Sequence, residues 1–151
     1  MIKKILPPTT KRVANNTSNK TNQMIREQTI SCIDAYKDSG TSVLSEKIKN
    51  LNYEWDTERV LEKTAASTVL LSSLIGYKKT KCCGFLITGT VGFFLLQHAL
   101  QGFCPPLSVI RKLGVRTAEE IFHEKMVFKY LRGDFKRNTD DTNEMLNMAE
   151  K

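Results

Sequence analysis

The sequence predicts an all-α protein built on an antiparallel two-helix membrane hairpin, flanked by amphipathic helices. Three observations carry that expectation. First, the 151 residues segregate: the ends are polar and the apolar character sits in the middle. Second, "CCGFLITGTVGFFLLQHALQGFCPPLSVI" contains no Asp, Glu, Lys or Arg. Third, the segment before it, "TAASTVLLSSLIGY", is also free of charge, and only "KKTK" separates the two. Helices without a polar face need burial all round. In so short a chain, lipid is the easiest way to supply it.

The elements follow in chain order. Residues 1–20 are rich in Lys, Asn and Thr and read as a disordered tail. "MIKKILPP" begins like a signal peptide, but Pro7 and Pro8 cut its apolar stretch too short. Residues 21–55 read as amphipathic helices. Ile25, Thr29, Ile33 and Tyr36 recur at helical spacing until Gly40. Leu44, Ile48, Leu51 and Trp55 then form one stripe, suited to packing on a neighbour or lying on a membrane surface.

Residues 56–106 read as the transmembrane hairpin. Helix one runs from about Asp56 to Tyr77, with its first turns charged by Glu58, Arg59, Glu62 and Lys63. Its charge-free part is about 14 residues, marginal for a span. Helix two runs from about Cys82 to Phe103, roughly 30 Å long, and ends at Pro105 and Pro106. Small residues recur every four positions: Thr64, Thr68, Ser72 and Gly76 on helix one, and Gly84, Thr88 and Gly92 on helix two. Such faces let helices approach closely. One antiparallel register pairs Gly76 with Gly84, Ser72 with Thr88, and Thr68 with Gly92. The basic residues Lys49, Arg59, Lys63, Arg111, Lys112 and Arg116 flank the side holding both termini. They favour a cytoplasmic position for it, although Lys78, Lys79 and Lys81 sit at the turn.

Residues 107–135 carry a short connector or helix ending at Gly114 and then a capped helix. Thr117 is its N-cap, with Glu120 three residues on in a capping box. Arg132 and Gly133 close it. Residues 136–151 are a polar tail.

The same register sets Glu62 level with His98 and Arg59 near Gln101, with Glu58 near Gly102. Glu58, Arg59, Glu62, Gln97, His98 and Gln101 therefore form a polar clamp at the open end of the hairpin. A Glu62–His98 hydrogen bond would relieve two costly groups in apolar surroundings. The clamp is read as structural; a ligand-binding or proton-accepting His98 is the functional alternative. Cys104 follows a helix C-terminus, where the dipole does not activate a thiol. It is still the most plausible reactive atom. Cys82 and Cys83 lie about 30 Å away along the helix and cannot share a metal with it. The cysteine spacing suits neither a disulfide framework nor zinc.

No phosphate loop, zincin motif or nucleophile elbow occurs. No catalytic residue, metal or cofactor is called for. Lys and Arg outnumber Asp and Glu by 23 to 16, but they are scattered among acids, without aromatic-basic patterning. A nucleic-acid partner is therefore not expected. Basic flanks beside an apolar segment suit an anionic bilayer surface.

The stretch from "DTERVLEKTAAS" to "FLLQHALQGFCPPLSVIRKLG" resembles the YgaP-like transmembrane domain of bacterial inner-membrane proteins. Glu58–Arg59 match the E-R near the start of that family's first helix, and Gly102–Phe103–Cys104–Pro105 match its G-F-C-P ending. The resemblance covers roughly residues 56–114. It implies a two-helix hairpin in the inner membrane and a homodimer. Some members join the domain to a rhodanese sulfurtransferase; these residues leave no room for one, so enzymatic activity is not implied. The expected function is a small self-associating membrane scaffold or accessory subunit. The alternatives are a thiol or sulfur relay through Cys104, and a soluble dimeric helical bundle.

Overall fold

The computed structural model describes residues 7–79 and 83–135, together with 143, 145, 146 and 148. Side chains of 76–79, 83 and 84 are outside that description. The described chain is all-α, with no strand among the described residues. Its helices are α1 (Arg12–Asn15), α2 (Asn19–Tyr36), α3 (Thr41–Leu51), α4 (Thr57–Lys79), α5 (Cys83–Gln101), α6 (Pro105–Lys112) and α7 (Ala118–Arg132). They divide into two compact units: residues 1–25 with 55–119, and residues 26–54 with 120–151.

In the first unit, α4 packs along α5 and α6. Asp56 caps α4, its carboxylate accepting from the Arg59 backbone N–H at 2.8 Å. Thr57, fully buried, ties that start to the segment after α6. Its N–H donates to the Arg116 carbonyl at 2.8 Å and its hydroxyl to the same oxygen at 2.9 Å. α5 ends because Gly102 turns to φ +77°, where its N–H closes on the His98 carbonyl at 2.8 Å. Pro105 and Pro106 then open α6 after an extended Cys104, where their missing donors cost nothing.

The core of this unit joins Val13, Leu61, Cys104, Leu107 and Ile110. Val13 brings the N-terminal segment into it. The composition of residues 1–20 predicts disorder, yet from Lys11 onward a turn of helix forms and docks. One buried apolar side chain and the Arg12–Glu58 ion pair supply what composition alone does not register. Arg111, also fully buried, holds this arrangement. Its guanidinium donates to the Val115 carbonyl at 2.9 Å, to Asn22 Oδ1 at 3.1 Å and to Thr17 Oγ1 at 3.3 Å. A planar fork of donors suits such a hub.

At its C-terminal end helix two stops two residues short of the sequence expectation. Among the described residues, no single helix is long and apolar enough to cross a membrane. Phe85–Gln101 and Pro105–Lys112 reach that length and character only together, and they are bent by 69° at the break. α5 from Cys83 to Gln101 is about 28 Å long, close to a hydrocarbon core of about 30 Å. Gly102 causes the early stop, ending α5 before Phe103.

In the second unit, Leu44, Ile48 and Leu51 of α3 meet Ile121 and Phe128 of α7, with Cys32, Ile33 and Tyr36 of α2 against them. The stripe read from the sequence is thus the buried face of α3. Trp55, its predicted last member, lies beyond the helix and is 42% exposed. Tyr36 meets Phe128 edge-on at 6.2 Å. Arg132 donates to Ser45 Oγ at 3.0 Å and pairs with Asp134, which holds the guanidinium pKa up.

Candidate functional site

The chemistry-bearing residues of the first unit gather where α1, α4 and α5 meet. Arg12 of α1 pairs with Glu58 of α4. The Arg12 backbone also lies against Gly102: a Cβ there would stand 2.5 Å from the Arg12 carbonyl oxygen. Asn16 donates to the Gln101 carbonyl at 2.8 Å. The N-terminal segment therefore sits on the end of α5, and Arg12 links Glu58 to Gly102.

A cavity of about 160 Å³ opens beside this contact, lined by Arg12, Glu58, Leu61, Glu62, Leu95, His98 and Ala99. Glu62 and His98 thus border one space, but they do not hydrogen-bond. Both ring nitrogens of buried His98 are without a partner among the described residues, and Glu62 is exposed. The ion pair that forms is Arg12–Glu58, because Arg12 arrives from a segment whose docking the sequence did not reveal. Arg59 does not reach Gln101. It turns instead to Trp55, its guanidinium 4.8 Å from the ring centroid, and Lys63 Nζ lies 4.7 Å from the same centroid. Each such contact contributes about 0.5–1 kcal/mol when exposed. Gln97 is half-buried and Gln101 exposed.

Along the α4–α5 contact, the Ser72 and Thr88 hydroxyls share a hydrogen bond at 2.9 Å. Thr68 is not brought against Gly92. Its hydroxyl donates to the Thr64 carbonyl of its own helix, and a Cβ on Gly92 would meet nothing within 4 Å. Gly76 and Gly84 fall outside the described side chains, as do Cys82 and Cys83 and the lysines of the turn.

Cys104 is 4% exposed and packed among Leu61, Leu107 and Ile110. It borders an apolar cleft of about 90 Å³ with Leu61, Thr64, Ala65, Thr68, Val91, Phe94, Leu95 and Pro106. No basic side chain lines that cleft to draw a thiolate out. Among the described residues, no group of three His, Cys, Asp or Glu side chains could hold a metal ion.

Away from this contact, α4 and α5 expose large apolar side chains. Leu70, Leu71, Leu74 and Ile75 on α4 and Phe85, Leu86, Phe93 and Leu96 on α5 are each more than half exposed. Apolar faces of this extent mark a surface that meets something other than water.

Residues 56–120, just under half of the chain, match the family model described as "Inner membrane protein YgaP-like, transmembrane domain". Comparison with curated proteins and with solved structures finds no match.

Proposed function

We propose, from the match of residues 56–120 to a transmembrane domain, that this chain is a small integral protein of the bacterial inner membrane. In this reading α4 and α5 form the membrane hairpin, with both termini on the cytoplasmic side. The chain acts as a self-associating, non-catalytic scaffold or accessory subunit, and the polar residues around His98 close the hairpin's open end.

The observation that carries the reading is the exposed apolar surface of α4 and α5. From Leu70 to Ile75 and from Phe85 to Leu96, described side chains that face outward include no charged group. Such a surface is stable in lipid and costly in water. α5, about 28 Å long, fits the hydrocarbon core with slight local thinning, and α6 can lie in the interface beyond the bend. Self-association draws on the outward faces, where Gly89 and Gly92 of α5 leave open space for close helix contact.

The experiment is membrane partition. After expression, the chain should stay with membranes through alkaline carbonate and move into the detergent phase. Release into the aqueous fraction as a discrete dimer would support the competing soluble bundle. Crosslinking in native membranes tests the scaffold: a single-chain product at all concentrations would reject self-association.

A further inference from the structure

We propose that Trp55, Arg59 and Lys63 form a docking site for the phosphate of an anionic phospholipid at the membrane interface. The proposal rests on the membrane reading above and names the partner met by the start of α4. Both cations lie over one indole ring, at 4.8 and 4.7 Å from its centroid. Ordinarily two adjacent like charges would separate or take acidic partners. Two of the neighbouring acids are engaged elsewhere, Asp56 capping the helix and Glu58 pairing with Arg12, and the exposed Glu62 forms no ion pair with either cation among the described residues. Among the described residues, neither Arg59 nor Lys63 has a carboxylate partner. All three side chains are exposed.

The pair lacks only an anion. Arg59 and Lys63 are one helical turn apart and both lie within about 5 Å of the Trp55 ring centroid, so a phosphate beside the indole is within reach of both cations. Their position selects the source of that phosphate. Lys63 is the last charged residue of α4 before the uncharged run that begins at Thr64. In the hairpin, that places the cations and the indole at headgroup depth, where tryptophan is favoured and basic residues meet anionic lipid.

Trp55 is the only tryptophan in the chain, so intrinsic fluorescence reads this site alone. The full chain is reconstituted into phosphatidylcholine vesicles with and without phosphatidylglycerol, at low and high salt. The Trp55 emission should change on adding the anionic lipid, and the change should shrink in high salt. Arg59→Gln and Lys63→Gln should each weaken the apparent affinity for anionic lipid by about fivefold, and the double variant by about 25-fold. Arg59→Lys should retain most of the response. Identical emission in both vesicles, or a double variant that responds like the parent, overturns the site. So does the same emission change produced by glycerol phosphate in neutral detergent micelles, which would make the ligand a soluble anion. Flotation with neutral vesicles separates the two readings. A chain that floats with Trp55 unresponsive loses the site and keeps the hairpin; a chain that does not float loses both.

Discussion

Gly102 is the residue on which the end of α5 depends. Its φ of +77° is open to glycine and strained for other residues. The Arg12 backbone also occupies the space a side chain would need. Gly102→Ala should therefore destabilise the first unit by about 1–3 kcal/mol. Limited proteolysis should show faster cleavage between residues 7 and 25, and an unchanged cleavage rate would reject the docking. Cys32 gives a second test in the other unit. Burial holds its thiol pKa up, and Glu124 adds to this against the opposing pull of Lys47. The Lys47 ammonium is pulled down by burial but ends above its ordinary value, because Cys32, Glu124 and Tyr36 together outweigh that. For Cys32 the folded value exceeds the unfolded one, so the fold favours the neutral thiol. Its contribution to stability is complete below the unfolded thiol value and is lost as pH rises through the raised folded value. Alkylation of Cys32 at mildly alkaline pH, mapped by peptide mass, should be slower in the folded chain than in urea. Equal rates would contradict the burial.

At the scale of elements, the α4–α5 pair turns on the hydroxyls of Ser72 and Thr88. Ser72 is 6% exposed, so both bulk and polarity at that position matter. Ser72→Ala removes two neutral hydrogen bonds, one to the Val69 carbonyl of its own helix and one shared with Thr88, at a net cost of about 0.5–1.5 kcal/mol. Ser72→Leu forces the helices apart and should cost more, about 1–3 kcal/mol. Thermal unfolding in detergent would rank the two, and the reverse order would show that the helices do not meet there. The small-residue spacing made this contact legible in the sequence. It also paired Thr68 with Gly92, which the structure leaves apart, because spacing gives a register for straight rods and says nothing of how far they diverge. That a helix starts after Thr117 was legible from Thr117 and Glu120, since capping signals are local chemistry, and α7 runs from Ala118 to Arg132. The docking of α1 was not, because Val13 is one apolar residue in a polar tail, and its partners lie about 50 to 100 positions away.

At the scale of the molecule, the outward apolar faces decide between lipid and water. Phe93→Lys places a charge on the exposed face of α5. In a bilayer, a lysine at such a position costs about 2.5–3.5 kcal/mol when central. Membrane insertion of this variant should fall sharply, while a soluble bundle would tolerate it or become more soluble. Fractionation of the parent and variant side by side measures the difference.

Composition and periodicity by themselves determined the all-helical class, the two helices with long uncharged runs, the stripe of Leu44, Ile48 and Leu51, and a break shortly before the Pro105–Pro106 pair. Each is a property of neighbours within one or two turns, which the chain carries locally. Only the tertiary structure decided the polar end of α5. There Arg12 arrives from the N-terminal segment, takes Glu58 and fills the space beside Gly102, leaving Glu62 and His98 across a cavity rather than bonded. It also turned Arg59 away from Gln101 and onto Trp55 beside Lys63. The physical reason is competition: a carboxylate or a cation pairs with whichever partner the fold brings closest, and that choice is made between segments far apart in the chain.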